Sequence, residues 1–127
     1  MILGVGIDNI EVGRVAAKIE KGQGFRELVF SAAEISYCES KAHKYQHYAA
    51  RFAAKEAFFK AMGTGWTNGT AFNEIEVVHD EHNRPGLQLK GATASWATSL
   101  GAGTISVSLS HLAAIASAMV VVEKQTS

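Results

Sequence analysis

The chain has few of the residues that cross-link or stiffen a protein. Its 127 residues include one cysteine, Cys38, and one proline, Pro85. A single cysteine excludes an internal disulfide and favours a reducing compartment, so we expect a cytoplasmic protein. No apolar run is long enough to span a membrane, and no membrane association is expected. Basic and acidic residues balance at 12 each, which argues against nucleic-acid binding through bulk charge.

The length predicts a single domain, residues 1–127, without internal repeats or linkers. Periodicity, capping signals and turn residues predict strands and helices mixed along the chain. The predicted strands cover residues 2–7, 74–79, 87–90, 104–110 and 113–122, and the predicted helices cover about 10–21, 31–39, 43–62 and 92–100. Adjacent strand runs suggest antiparallel pairing, so the expected fold class is α+β.

Residues 51–60, within the helix predicted over about 43–62, combine charges with small and aromatic residues. Glu56 and Lys60 lie one turn apart, among alanines and phenylalanines that would let other elements pack closely. In an ordinary helix they would form an i,i+4 ion pair worth about 0.2–0.5 kcal/mol. In a largely buried setting such a pair is costly without a further partner. This helix is therefore a candidate wall of an active site.

Asp8 follows the first apolar run, where the pattern predicts that a strand hands over to a helix. One interpretation makes Asp8 the cap of that helix. The other makes it a ligand of a hard metal ion, because Mg2+ takes few protein carboxylates and fills its shell with water and phosphate oxygens. Asp8 and Glu56 are then the two carboxylate ligands, with Mn2+ as an alternative ion.

Three cations, Arg51, Lys55 and Lys60, fall within ten residues of the same helix. They predict either a solvated basic stripe or a phosphate-binding surface, in which Arg acts as a fork and Lys as a point charge. The segment Gly63-Thr64-Gly65 follows the helix. It predicts either a C-terminal cap or backbone N–H groups that approach a phosphate.

His111 ends a serine-rich strand, where a lone histidine is usually structural or exposed. A nucleophile–base pair with Ser110 is discounted, because neighbouring side chains on a strand point to opposite faces. The other four histidines show no zinc-binding pattern. Trp66 and Trp96 are expected to be packing anchors rather than ligand-stacking residues.

Four blocks of sequence, in this order and at this spacing, carry a resemblance to a known family. They are Gly4-Val5-Gly6-Ile7-Asp8 leading into Glu11 and Arg14, Phe30 to Cys38 with Glu34, Arg51 to Gly65, and Ser108-Leu109-Ser110-His111. Over almost its whole length the chain resembles the small 4′-phosphopantetheinyl transferases of the holo-acyl-carrier-protein synthase type. The resemblance implies transfer of the 4′-phosphopantetheine arm of coenzyme A to a serine of apo acyl carrier protein. It also implies Mg2+ dependence, release of adenosine 3′,5′-bisphosphate and a role in fatty acid biosynthesis.

The resemblance assigns roles residue by residue. Asp8 and Glu56 match the magnesium ligands, and Lys60 matches a basic residue at the pyrophosphate, so these three are the catalytic candidates. The predicted coenzyme A contacts are Arg51, Lys60, Gly63, Thr64, Gly65 and His111. Among them, Arg51 and His111 match positions at the nucleotide end, including its 3′-phosphate. The predicted carrier contacts are Arg14, Lys18 and Lys21. Larger members of the superfamily carry a second acid two residues after the first, where this chain has Ile10. The chain therefore resembles the small type, which forms homotrimers with active sites between subunits.

The residues are consistent with such chemistry, since breaking a pyrophosphate needs charge neutralisation and positioning more than covalent catalysis. The serine of the carrier attacks, so no enzyme nucleophile is required. We hypothesise that Glu56 is the base for that serine, directly or through water. Two alternatives are a different magnesium-dependent nucleotide or phosphoryl transferase and a non-catalytic coenzyme A or carrier-binding module. The presence of both carboxylates disfavours the second.

Overall fold

The computed structural model describes residues 1–126, which form five strands, five α-helices and a short 3-10 helix. The strands are β1 (Ile2–Glu11), β2 (Ile75–His79), β3 (Pro85–Leu89), β4 (Ala102–His111) and β5 (Ile115–Lys124). The helices are α1 (Val12–Glu20), α2 (Phe25–Val29), α3 (Ala32–Glu39), α4 (Lys44–Met62) and α5 (Gly91–Ser99), with the 3-10 helix at Phe72–Glu74. All predicted elements are present, and only α2 and the 3-10 helix were not predicted. None of the described helices is long and apolar enough to cross a membrane.

The strands form two antiparallel sheets, which confirms the α+β class. One sheet has the order β1-β5-β4, and the other is the β2-β3 hairpin. Helix α4 packs across one face of the three-stranded sheet, where Ala116, Ala118, Val120 and Val122 of β5 are buried. Asp8 pairs with Ala118 in the register, and so lies on the same face. This register directs the Asp8 side chain towards α4.

The close approach of β1 to α4 depends on small residues on both elements. A Cβ built on Gly4 would collide with the backbone carbonyl of Ala61, and one on Gly6 with that of Ala57. The alanines of α4 therefore allow the close packing expected from the sequence, and the element they admit is the chain's own first strand. The two glycines place Asp8 within side-chain reach of the helix.

The first strand extends further than predicted. It pairs with β5 as far as Glu11, opposite Ile115, so Asp8 is part of the strand and its interpretation as a helix cap is wrong. Helix α1 begins at Val12 rather than near Ile10, and no side chain caps its N-terminus. Pairing with β5 continues through residues 8–11 and engages alternate backbone groups of this edge strand, and these long-range bonds override the local capping preference.

A buried polar network joins α3, α4 and β2. Ser31 and Glu34 form the capping box that opens α3, with both reciprocal hydrogen bonds present. Glu34 also accepts from the Nζ of Lys55 at 2.7 Å and from the backbone N–H of Val77. Lys55 is fully buried and donates as well to the carbonyl of Ile75. Both predictions for Lys55, a solvated stripe and a phosphate contact, are therefore wrong.

The two tryptophans differ in their packing. Trp96 packs against Phe58 and Phe59, with ring centroids 6.3 and 5.9 Å away, as expected for a packing anchor. Trp66 is 54% exposed in the loop after α4, so the packing prediction is wrong for this residue. The loop between α4 and the 3-10 helix leaves its ring on the surface.

Candidate active site

Asp8 and Glu56 line the same cavity, which has a volume of about 280 Å³. Its other lining residues are Asn9, Ile10, Arg14, Val15, Lys18 and Phe52. Asp8 comes from β1 and Glu56 from the facing surface of α4. The structure therefore brings together the two carboxylates that the sequence proposed as partners.

Lys60 adds a cation beside Asp8. Its Nζ donates to the Oδ1 of Asp8 at 2.8 Å and to the backbone carbonyl of Ile7 at 3.1 Å. Lys60 therefore pairs with Asp8 and not with Glu56, so the i,i+4 ion-pair interpretation is wrong. The side chain of Lys60 is 54% exposed and that of Asp8 only 16%, so the lysine covers the carboxylate from the solvent side.

Glu56 is in an environment that disfavours a lone negative charge. Burial raises the pKa of its carboxyl group above the ordinary value, and the charge of Asp8 raises it further. The positive charges of Lys60 and Lys18 act in the opposite direction. A bound cation between the two carboxylates would remove the repulsion and stabilise both in the ionised form.

The donor set fits a hard divalent cation. Two carboxylates from facing elements line an open cavity, and such oxygen ligands suit Mg2+ or Mn2+. Within residues 1–126 no three His, Cys, Asp or Glu side chains converge as a metal site. Protein groups therefore supply only part of a shell, leaving positions for water and phosphate oxygens, as Mg2+ prefers.

The predicted carrier-binding cations divide into two groups. Arg14 and Lys18 are exposed, lie one turn apart on α1 and line the cavity with the carboxylates. Lys21 is the C-terminal cap residue of α1, beyond the residues that line this cavity. Arg14 and Lys18 thus form a basic rim next to Asp8 and Glu56.

The Gly63-Thr64-Gly65 segment closes the end of α4. Gly63 has a left-handed backbone with φ 80°, and its N–H donates to the carbonyl of Lys60. The N–H of Thr64 donates to the carbonyl of Phe59, which completes a Schellman cap. Two of the N–H groups considered for phosphate binding are therefore engaged in the helix end. The contact of this segment with coenzyme A stays a prediction.

Arg51 and His111 lie together in a second region of the fold. Arg51 is only 3% exposed, and its guanidinium lies 4.2 Å from the ring centroid of Tyr37. The solvated-stripe interpretation is therefore wrong for Arg51. The Nδ1 of His111 lies 2.9 Å from the Oε1 of Gln46 near the start of α4. Neither Arg51 nor His111 lines the Asp8–Glu56 cavity.

The sequence did not predict which side chains connect Arg51 with His111. The ring of His47 lies 5.3 Å from that of His111 and 5.7 Å from that of Tyr37. Tyr37 also stacks on His79 at 5.4 Å. The sequence signal was the His43–His47 spacing, which we considered only as a zinc pattern. The ring of His47 instead packs against the rings of Tyr37 and His111.

Comparison with known proteins identifies the class. The family model described as the 4′-phosphopantetheinyl transferase superfamily matches residues 4–116. The chain therefore belongs to this superfamily. The family resemblance drawn from the sequence is confirmed, and with it the enzyme class.

Relatives with assigned names point to one type within the superfamily. The holo-acyl-carrier-protein synthase of Solibacter usitatus is 44% identical over 124 residues, covering 97% of this chain and 99% of the relative. That of Ruminiclostridium cellulolyticum is 52% identical over 120 residues, covering 93% and 90%.

Solved structures agree in fold. The holo-acyl-carrier-protein synthase of Neisseria meningitidis matches with a TM-score of 0.89 at 33% identity, covering 98% of this chain and 100% of that one. The Bacillus anthracis enzyme, solved in complex with coenzyme A (3′,5′-ADP), matches with a TM-score of 0.80 at 32% identity, covering 98% and 99%. The antiparallel α+β architecture is thus that of the holo-acyl-carrier-protein synthases.

Proposed function

We propose that this enzyme transfers the 4′-phosphopantetheine group of coenzyme A to a serine of apo acyl carrier protein, in fatty acid biosynthesis. The products are the holo carrier and adenosine 3′,5′-bisphosphate. The observation that carries the proposal is the convergence of Asp8 and Glu56 at one cavity, with Lys60 hydrogen-bonded to Asp8. Family membership and named relatives support the same reaction.

The residues of the cavity suit this chemistry. Asp8 and Glu56 would hold Mg2+, which when bound neutralises pyrophosphate charge. Lys60 adds a positive charge beside Asp8, where it would stabilise charge on the phosphate oxygens. Glu56 also serves as the base that accepts the proton of the attacking serine, directly or through water.

The carrier binds over the basic rim in this proposal. Arg14 and Lys18 are exposed next to the carboxylates, so an acidic carrier docked there would bring its serine to the cavity. Lys21 extends the same end of α1 with a third positive charge. In this proposal the carrier-binding surface therefore lies directly beside the reaction site.

We further propose a homotrimer with active sites between subunits. Two observations support it. The outer face of the three-stranded sheet exposes apolar side chains that neighbour one another, including Val5, Ile7 and Met119. In addition, Arg51 and His111 lie outside the cavity of Asp8 and Glu56. A coenzyme A molecule bound across two chains would contact the Asp8–Glu56 cavity of one chain and Arg51 and His111 of the other.

A carrier-loading assay tests the reaction. The protein is incubated with coenzyme A, Mg2+ and an apo carrier, and mass spectrometry should show a carrier heavier by one phosphopantetheine. Asp8→Asn and Glu56→Gln should fold normally and lose most turnover. Glu81→Gln is the matched control, because Glu81 is 86% exposed in the β2–β3 turn. No mass gain with several carriers would favour a different nucleotide or phosphoryl transferase.

A further inference from the structure

Arg51 is a buried cation without a carboxylate partner among residues 1–126. Its Nε has no hydrogen-bond partner in that part of the chain, and its terminal nitrogen makes only a 3.4 Å contact to the carbonyl of His47. The two carboxylates that line the same cavity, Glu34 and Glu76, are bonded to Lys55 and Lys90. An unpaired buried charge is costly, so Arg51 is placed to receive an anion from outside the chain.

His47 links Arg51 to His111. Its imidazole packs edge-on against the ring of His111 at 5.3 Å and against that of Tyr37 at 5.7 Å, while Arg51 covers Tyr37. The ring is half-buried and lies one turn before Arg51 on α4. An anion that reached both Arg51 and His111 would therefore come close to this imidazole.

We propose that His47 is a further residue of the nucleotide-binding site, which takes up a proton when the 3′-phosphate of coenzyme A binds beside Arg51 and His111. The inference rests on the proposed function, in which coenzyme A is the substrate. It adds to that site His47 and the proton that its imidazole takes up. The affinity for coenzyme A should then depend on pH through His47.

The charges around His47 set the direction of the effect. Burial lowers the pKa of His47, and the positive charge of Arg51 lowers it further. The remaining neighbours also lower it: His111 from β4, Lys41 from the connection before α4, and His43 from the residue before that helix. A phosphate monoester carries a charge between about −1.5 and −2 at pH 7 and would outweigh these cations. Because the phosphate raises the pKa of the imidazole, His47 takes up a proton on binding. Its contribution to affinity therefore grows as pH falls from the raised pKa of the complex towards the lowered pKa of the free protein, which lies below the ordinary 6.5.

Calorimetry in buffers of different ionisation enthalpy tests this directly. Coenzyme A binding should take up more protons in the wild-type protein than in His47→Gln, because the proton equilibrium of the phosphate itself, with a pKa of about 6, is common to both proteins. His47→Gln should reduce the uptake and weaken coenzyme A binding roughly five- to tenfold at pH 6.5, with little effect at pH 8.5. Arg51 contacts the backbone carbonyl of His47, so replacing the side chain of His47 preserves this contact.

His82→Gln is the matched control, because His82 is 70% exposed in the β2–β3 turn. The imidazole proton resonances of wild type and variants, followed by NMR, identify which histidine takes up the proton. Uptake and pH dependence that persist in His47→Gln would overturn the inference while leaving the reaction intact. Failure of the wild type to bind coenzyme A and to load a carrier would overturn the proposed function as well.

Discussion

The Nζ of Lys60 lies 2.8 Å from the Oδ1 of Asp8, joining the middle of β1 to the last turn of α4. The same nitrogen donates to the carbonyl of Ile7, so the lysine is held by two groups of the strand. The pair places a positive charge beside the carboxylate proposed to hold the metal ion. A divalent cation held by Asp8 and Glu56 would compete with Lys60 for Asp8 and would leave the Nζ of Lys60 available to a phosphate.

Lys60→Met should lower turnover in the carrier-loading assay by roughly 100-fold, since it removes a charge that stabilises the leaving phosphate. Lys60→Arg should retain part of the activity. Lys124→Met, at the exposed end of β5, is the control and should behave as wild type. Near wild-type turnover of Lys60→Met would remove this residue from the reaction.

The buried Lys55–Glu34 pair predicts a strong asymmetry between single and double substitutions. Lys55→Met and Glu34→Gln should each destabilise the fold by about 3–5 kcal/mol, because each leaves a buried charge without its partner. The double variant Lys55→Met/Glu34→Gln should be more stable than the sum of the two losses predicts. Urea unfolding followed by circular dichroism measures all three. Additive losses would show that the two side chains do not act as a pair.

Lys55 also shows what the sequence could not decide. Lys55 and Lys60 lie on the same predicted helix, and their different roles follow from contacts distant in sequence. The hairpin strand β2 and helix α3 enclose Lys55, while β1 brings Asp8 to Lys60. Likewise, hydrogen bonds to β5 continue β1 beyond Asp8 despite the local capping signal. Helix α4 itself was predictable, because its length, composition and terminal glycine are local signals.

The glycines of β1 give a paired stability test. Gly6→Ala should unfold the protein or shift β1, because the new Cβ would meet the carbonyl oxygen of Ala57. Gly13→Ala should stabilise the protein by about 0.5–1 kcal/mol, because Gly13 lies in α1 with open space around its Cα. Thermal unfolding of both variants measures the contrast. A Gly6→Ala protein as stable as wild type would mean that β1 can move away from α4 at little cost.

The outer face of the three-stranded sheet provides the test of assembly. Ile7 is 60% exposed and pairs with Met119 in the register, so the two side chains form part of one apolar surface. Ile7→Lys should dissociate the proposed homotrimer into monomers in sedimentation experiments, because each interface would bury an unpaired ammonium group.

Leu28→Lys should leave the assembly unchanged, although Leu28 is 70% exposed, because it lies on α2 and not on this sheet. Loss of carrier loading together with dissociation in Ile7→Lys would support active sites between subunits. A fully active Ile7→Lys monomer would place the whole site within one chain.

Co-expression of Asp8→Asn with His111→Gln provides an independent measurement. If two chains contribute to each site, mixed trimers contain some sites with both wild-type residues, and carrier loading returns. If each site belongs to one chain, every site carries a substitution and the mixture stays as impaired as its parents.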